Sequence, residues 1–384
     1  MESYKICVST AFGVEAATKR ELENLGYHDL RAENGKIVFS GTLSDVARCN
    51  LLLRTANKVF LVLGTFPAGS FDEVFGGVRD LPLEDYLPKN AAMPISGKTA
   101  KSDLFAFSAT QRVIKKAVCE RLMQKYRVSE LPEDGKRYGL EFFLYKNEGM
   151  LCLNTSGDGL HKRGYRSLAS EAPLKETLAA AMLDLSVWNP DKILVDPFTG
   201  SGTIPIEAAM IACRIPAGGN RGFDFTAWGE AYERAFLEEK ERALSLVTRR
   251  EVRIQGYDID EKQISLARYH AKNAGVADCV HFQVRDMREL SSHTPYGVIV
   301  TNPPYGKRLG TERETALLMR DFGKTFARLP DWSAYVITAF PALEREFGKT
   351  ADKKRKLFNG DLECCYYTFM GAKPPKRKTN EETD

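Results

Sequence analysis

At 384 residues the chain is too long for one ordinary core, and two or three domains are expected. A hydrophobic content of 43% suits packed interiors, while no stretch is apolar and long enough to cross a bilayer as a helix. The net charge of +4 is too weak for bulk charge to argue a nucleic-acid partner, so local patches must carry any such reading.

In chain order, residues 1–60 read as a small α/β unit. Ile6-Cys7-Val8 is a strand, 14–25 an amphipathic helix stopped by Gly26, 36–39 a second strand and 43–53 a second helix. The start, Met1-Glu2-Ser3-Tyr4-Lys5, shows no basic region before an apolar core, so no secretory signal is expected. Residues 61–156 read as a second unit. Here 104–107 is a strand, and Ser108 caps a helix with Gln111 placed to close a capping box. Ile114, Val118, Leu122 and Tyr126 form one stripe of that helix. Arg112, Lys115 and Lys116 fall on other faces as candidate RNA contacts, although on the charges alone a solvated face is the better account. Strands over 138–145 and 150–154 flank a hairpin at Asn147-Glu148-Gly149.

Residues 157–172 form a basic linker. Within it His161-Lys162-Arg163-Gly164-Tyr165-Arg166 places three fixed positive charges and an aromatic ring in six positions. Lys162, Arg163 and Arg166 can meet phosphates and Tyr165 can stack on an unpaired base. The competing account is a basic hinge packed on acidic neighbours.

A third unit spans 173–372. An apolar strand over 192–195 ends in Asp196 and runs into Pro197-Phe198-Thr199-Gly200-Ser201-Gly202-Thr203 and a helix. Gly200 and Gly202 remove Cβ atoms where a ligand must approach the backbone, and the helix start offers free N–H groups. The Gly-Lys-Ser/Thr ending of a phosphate loop is absent, and the glycine spacing is not that of the dinucleotide fingerprint. Asp196 would repel a pyrophosphate and suits a ligand with positive charge, such as an amino acid or a sulfonium. After an insertion over 214–251, in which Arg221 and Trp228 are candidate substrate-side residues, a strand ends in Asp258-Ile259. The next helix carries Ile264, Ala267, Ala271 and Ala274 at helical spacing, with Gly275 as its cap. A carboxylate at the end of the second strand of a doubly wound sheet can accept from both ribose hydroxyls, which is the place of Asp258. The following short strand ends in Asp286-Met287, where an acceptor and an apolar side chain can meet an adenine. Each such Asp alone is more often a cap or loop residue; their recurrence at successive strand ends is what marks a site.

Val298-Ile299-Val300 then reads as a buried strand stopped at once by Asn302-Pro303-Pro304-Tyr305-Gly306. The Asn302 amide oxygen and the Pro303 carbonyl are two acceptors suited to the two hydrogens of an exocyclic amine, and Tyr305 can stack on its base. On these residues alone a proline-rich loop is an equal account. A helix over 315–327, a strand over 334–338 and a hairpin at Asn359-Gly360 complete the unit, and 373–384 reads as a disordered, charged tail. The eight cysteines contain no Cys-x-x-Cys pair and the five histidines no metal spacing, so reduced thiols, no metal and a cytoplasmic location are expected.

Asp-Pro-Phe-Thr-Gly-Ser-Gly-Thr followed by Asn-Pro-Pro-Tyr-Gly resembles the class I S-adenosylmethionine-dependent methyltransferases that act on exocyclic amines. With the linker 157–166 and Ala172-Pro173-Leu174-Lys175-Glu176-Thr177, it is more closely similar to the THUMP-domain RNA guanine 2-amino methyltransferases, the group containing the RlmL-type large-subunit rRNA enzymes. The resemblance implies a ferredoxin-like region at 1–60, a THUMP domain at 61–156 and a Rossmann-like seven-stranded catalytic sheet with its last strand antiparallel. It implies S-adenosylmethionine as cofactor, held by Asp196, Phe198, Thr199, Gly200, Ser201, Gly202, Thr203, Asp258, Ile259, Asp286, Met287 and Asn302. Asn302, Pro303 and Tyr305 would act on the base, and rRNA is the expected partner. A tRNA guanine, a DNA adenine or a non-enzymatic role in ribosome assembly are the rival readings.

Overall fold

The computed structural model describes residues 3–33, 35–166, 174–304 and 311–373. Ala172-Pro173, Tyr305-Gly306 and the tail after Lys373 lie outside them. The chain forms two compact units. One takes the residues through Thr10, Thr18–Arg163 and Pro216–Leu246; the other takes Ala11–Ala17, Gly164–Ile215 and the chain from Val247.

The first unit contains β1 (Tyr4–Thr10), α1 (Glu15–Asn24) after its first turn, β2 (Arg31–Glu33), β3 (Lys36–Gly41), α2 (Leu43–Leu52) and β4 (Ala56–Pro67). It continues through α3 (Phe71–Arg79), β5 (Ile95–Ala100), α4 (Phe107–Tyr126), β6 (Leu140–Tyr145) and β7 (Glu148–Asn154). Its sheet has the order β2-β3-β1-β4-β7-β6-β5. β4 carries the uninterrupted run Val59-Phe60-Leu61-Val62-Leu63 and pairs with β1 on one side and β7 on the other, so one sheet continues through residue 60.

Three local expectations here are corrected. Residues 104–106 are irregular and α4 begins at Phe107, with no side-chain cap. The edge position is filled instead by β5, whose Ser96-Gly97-Lys98 carries no apolar signal. Gln111, expected in a capping box, donates its amide to the β5 carbonyl of Ile95 at 2.6 Å. The hairpin turn is Lys146-Asn147, both in the left-handed region at φ 53° and 62°, with Tyr145 opposite Glu148. That is the two-residue primed turn whose twist matches the strands.

The second unit opens with α5 (Glu176–Asp184), β8 (Leu194–Asp196) and α6 (Thr203–Ala212). Residues 216–246, with α7 (Glu230–Ser245), cluster with the first unit instead. The second unit resumes with β9 (Ile254–Asp258), α8 (Glu261–Asn273), β10 (Val280–Val284), β11 (Val298–Thr301), α9 (Glu312–Ala327), β12 (Ser333–Thr338), α10 (Leu343–Phe347), β13 (Lys353–Asn359) and β14 (Leu362–Phe369). The sheet order is β10-β9-β8-β11-β12-β14-β13, with β8 to β12 mutually parallel and β14 antiparallel to both its neighbours.

β11 shows why the parallel part reads as continuous apolar runs. Val298 and Val300 pack in the core on one face and Ile299 in the core on the other, and all are fully buried. Helices thus cover both faces. From β8 the chain winds outward to β9 and β10, then returns to β11 on the opposite side of β8. The strand order reverses between β8 and β11, and the crevice beyond their carboxyl ends is where such sheets bind ligands.

Candidate active site at the carboxyl ends of β8, β9 and β11

Asp196 closes β8 and is 1% exposed. It accepts a hydrogen bond from the Thr301 hydroxyl at 2.6 Å and one from the Phe198 N–H at 3.2 Å. Burial outweighs both bonds and pushes its carboxyl up to about 7, with the nearby charge of Asp258 adding to the rise. The Thr301 bond joins the end of β8 to the residue just before Asn302, so the glycine turn and the double-proline corner lie side by side.

The turn itself is held by backbone bonds. The Thr199 N–H donates to the Tyr257 carbonyl of β9 at 2.8 Å, and the Gly200 N–H donates to the Asp258 carboxylate at 2.9 Å. Gly200 and Gly202 have φ of +51° and +86°. Their roles differ. A Cβ on Gly200 would meet nothing closer than the Gln263 amide oxygen at 4.0 Å, so this position faces open space. A Cβ on Gly202 would stand 2.9 Å from both Ala267 and Phe282, so its missing side chain serves close packing of α6 against α8 and β10 rather than ligand approach. The Thr199 hydroxyl is buried without a partner among the described residues; Ser201 and Thr203 are buried, and Phe198 packs edge-on against Phe322.

At the end of β9, Asp258 also accepts from the Asp260 N–H at 3.0 Å, and burial raises its carboxyl above the usual range. Ile259 beside it is 73% exposed, an apolar side chain left at the rim. At the end of β10, Asp286 accepts from the Arg288 N–H and guanidinium at 2.8 and 2.9 Å, while Met287, expected against an adenine, is buried in the core cluster that holds Tyr257 and Ile299. Beyond β11, Pro303 is buried and the Asn302 side-chain oxygen is buried with no hydrogen-bond partner among the described residues. Tyr305 lies outside the described residues.

The linker behaves differently from the expectation that it meets RNA. Arg163 is 2% exposed and donates to the carbonyls of Leu160 at 2.9 Å and Arg54 at 2.5 Å. Tyr165 is 1% exposed and donates to Glu207 at 3.2 Å. Arg166 pairs with Glu176 at 3.2 Å and reaches the Leu174 carbonyl and the Ser201 hydroxyl. These three side chains are structural, consistent with the hinge account; Lys162 alone stays exposed, paired with Asp158. On α4, Arg112 and Lys116 are exposed, whereas Lys115 is tied to Glu133 at 2.6 Å. Arg221 and Trp228 also turn inward within the first unit. Arg221 donates to the carbonyls of Ser156, Asp158, Gly159 and Lys162, and Trp228 stacks on Tyr138 at 4.9 Å.

Sequence reading passed over Thr301 and His270. Thr301 looked like one more β-branched strand residue, yet its hydroxyl is what locks Asp196. His270 is fully buried with Nδ1 3.1 Å from the Ser201 carbonyl. Its only signal was a polar residue on the apolar stripe of α8.

Known proteins resemble this chain over nearly its whole length. Residues 163–368 match the family model of the RMKL-like methyltransferase domain, and residues 5–60 match that of the RlmL ferredoxin-like domain. The chain is 37% identical to "Putative RNA methyltransferase YpsC" of Bacillus subtilis (strain 168), covering 99% of this chain and 100% of that one. It is 32% identical to ribosomal RNA large subunit methyltransferase K/L of Psychromonas ingrahamii, covering 98% of this chain but only 52% of that longer protein. A crystal structure from Listeria monocytogenes, titled a predicted N6-adenine-specific DNA methylase, aligns at TM-score 0.90 with 41% identity and 97% of each chain covered. The one titled "Crystal structure of SMU.472, a putative methyltransferase complexed with SAH" aligns at TM-score 0.89 with 37% identity over 98% of this chain and all of that one. The chain belongs to the RMKL-like methyltransferase family, with S-adenosylmethionine as its cofactor.

Proposed function

We propose that this protein transfers a methyl group to the exocyclic 2-amino group of a guanine in RNA, with large-subunit (23S) ribosomal RNA as the substrate. The observation that supports the reading is the Asn302 side-chain oxygen at the end of β11, buried and without a hydrogen-bond partner among the described residues. A buried acceptor left unpaired costs about 1–3 kcal/mol. A bound amine donor recovers that cost. The names of the Bacillus and Psychromonas relatives supply the RNA and ribosomal parts of the proposal.

The residues present fit the cofactor. The open face of Gly200 leaves room beside the backbone, Asp196 and Asp258 offer carboxylates to a cationic amino acid group and to ribose hydroxyls, and Ile259 offers an apolar surface to the adenine. Phe198, Thr199, Ser201, Gly202 and Thr203 shape the turn, and Asp286 closes the adenine end, with Met287 behind it in the core. When bound, S-adenosylmethionine supplies a methyl group on a positively charged sulfur.

The chain's part is to make a poor nucleophile reactive. The amine lone pair of guanine is delocalised into the ring. If Asn302 Oδ1 and the Pro303 carbonyl accept its two hydrogens, the nitrogen turns tetrahedral and its lone pair is aimed in line with the methyl. Tyr305 is assigned to clamp the ring. An amide cannot take a proton as a general base. None is needed, because the methylated ammonium is acidic enough to release its proton to water. Alignment and fixed dipoles therefore carry the rate. We assign RNA recognition to a THUMP region at 61–156, with Arg112 and Lys116 among its contacts.

The test is to map modified nucleosides in cells with and without this gene. One 2-methylguanosine should vanish from large-subunit rRNA, and return with the wild-type gene but not with Asn302→Ala. Loss of a tRNA mark would move the substrate. Loss of an N6-methyladenine in DNA, the reading favoured by the name of the Listeria structure, would replace the base. An rRNA mark restored equally by Asn302→Ala would refute the amine clamp, and no lost mark at all would favour an assembly role.

A further inference from the structure

The segment Ala11–Ala17 comes from the N-terminal end of the chain but clusters with the second unit. Val14 and Ala17 are buried in the core of that unit at 1% and 0% exposure. Gly13 has φ +85°, and a Cβ there would lie 2.5 Å from the Lys356 carbonyl, so only glycine lets this loop rest on β13. The Arg355 guanidinium donates to the Gly13 carbonyl at 3.3 Å and fastens it. What this anchored loop presents is Phe12, 63% exposed, with its ring edge-on to Phe358 at 5.8 Å.

Around the two rings runs Lys353-Lys354-Arg355-Lys356 on the edge strand of the sheet. Lys353, Lys354 and Lys356 are exposed, and the Lys356 ammonium stands 5.4 Å over the Phe358 ring. Lys354 and Lys356 pair with Glu344 and Glu363, while Lys353 points to solvent without a carboxylate partner among the described residues. Lysines on an edge strand have a plain use in blocking edge-to-edge pairing. That use does not explain an exposed phenylalanine held in place by a loop that only glycine can close. Cations alternating with presented aromatic rings are the make-up of a surface for single-stranded nucleic acid.

The register places this strip relative to the site. Thr301 pairs with Val336, Val336 with Tyr367 and Tyr367 with Lys354. Three strand spacings put Lys354 about 14 Å from the end of β11. β13 runs parallel to β11, so Lys356 and Phe358 extend about 7 and 14 Å further toward the same rim as Asn302. A strand of RNA whose target base enters the crevice reaches this strip within a few nucleotides.

We propose that Phe12, Phe358 and the basic edge of β13 form a docking strip for the single-stranded RNA next to the target base, Phe12 stacking on a base and Lys353 and Lys356 meeting phosphates. The inference rests on the RNA reading above. The test uses the full chain and a fluorescein-labelled RNA of about twelve nucleotides and mixed sequence, read by anisotropy. Phe12→Ala should weaken binding at least about fivefold and Phe12→Tyr should restore it, since one stacked base is worth about 1–3 kcal/mol. Lys353→Gln with Lys356→Gln should lower the slope of log affinity against log salt by about 1.4, at about 0.7 per phosphate on a single strand. S-adenosylmethionine titrations should be unchanged in all variants, which shows that the fold and crevice survive. Wild-type protein that binds no RNA and methylates none would sink the RNA reading itself. Wild-type protein that binds RNA while every variant binds equally would sink the strip alone. A Phe12→Ala variant that keeps its RNA affinity but loses a self-associated state would make this face an interface between copies.

Discussion

Replacing Asp196 with Asn should stabilise the cofactor-free protein increasingly as pH rises through neutrality, and should give no such gain at acid pH, where the carboxyl is already neutral. Asn keeps the shape and an oxygen for the Thr301 hydroxyl and the Phe198 N–H, but removes a charge that is buried at 1% exposure. The carboxyl is raised from 3.8 to about 7 by that burial. A raised acid is stabilised in its neutral form, so its contribution is fully present below 3.8 and is lost as pH rises toward 7. The difference amounts to about 4 kcal/mol once pH exceeds 7, of which about 3 kcal/mol is lost between pH 5 and pH 8. An amide NH2 in place of the second oxygen costs about 1–3 kcal/mol if no water reaches it, and that cost is the same at both pH values. The change with pH is therefore the clean quantity.

The assay is urea unfolding at pH 5 and pH 8 without cofactor, read from the fluorescence of Trp188 and Trp332. Both are buried in the unit that holds Asp196, and Trp228 of the other unit is replaced by Phe so that it does not report. The stability difference between Asp196→Asn and wild type should shift in the variant's favour by about 3 kcal/mol from pH 5 to pH 8. A difference that stays constant would mean that the Asp196 carboxyl ionises at its ordinary pH, and the account of a charge held in reserve for a cationic ligand would fall. With cofactor present the order should invert, because wild type then gains a partner for the charge and the variant does not.

Asn302→Ala should lower kcat by about 10² to 10³ while cofactor affinity, read by calorimetry, stays within about twofold; an unchanged kcat would reject the amine clamp. Asp258→Ala should weaken cofactor binding at least about tenfold by loss of a charge-assisted contact, and an unaltered titration would reject its ribose role. Gly200→Ala and Gly202→Ala should separate. The first should keep its melting temperature within a few degrees but lose cofactor affinity, and the second should lose about 2 kcal/mol or more of stability from its left-handed backbone and its clash with Ala267 and Phe282. Arg166→Ala should raise the cofactor dissociation constant through Ser201 and leave the affinity for RNA oligonucleotides unchanged; the reverse pattern would return the linker to the RNA side.

The parallel sheet was legible because buried strands of that kind advertise themselves twice, by β-branched runs and by the turn residues that stop them. Val298-Ile299-Val300 before two prolines, and Asp196 before two glycines, each state a strand end and a functional group at once. The hairpin that Asn359-Gly360 announces was equally plain, although its turn is Gly360-Asp361, with Asn359 still paired to Leu362. β5 was hidden because Ser96-Gly97-Lys98 carries no apolar period; its parallel pairing with β6 supplies what its own side chains do not. The return of 216–246 to the first unit was hidden for another reason. The bonds that bring it there are long-range ones, Arg48 of α2 to Glu239 of α7 at 2.9 Å and the Gly218 N–H to the Leu51 carbonyl at 2.8 Å, and a sequence does not name such partners.

Two basic runs make the same point about function. Lys162-Arg163-Gly164-Tyr165-Arg166 and Lys353-Lys354-Arg355-Lys356-Leu357-Phe358 look alike as strings, each mixing cations with an aromatic. What separates them is how far their side chains are buried. In the first, Arg163 finds two carbonyls and Arg166 finds Glu176, so the charges are consumed in fixing the entry to the catalytic unit and its glycine turn. In the second, Arg355 meets the Gly13 carbonyl and Lys354 and Lys356 meet Glu344 and Glu363, yet all three lysines stay exposed and Lys353 has no carboxylate partner among the described residues. Exposure converts a basic run from a brace into a surface. The same physics predicts where RNA contacts should be sought in this protein: not where positive charge is densest along the chain, but where the side chains that carry it remain open to solvent.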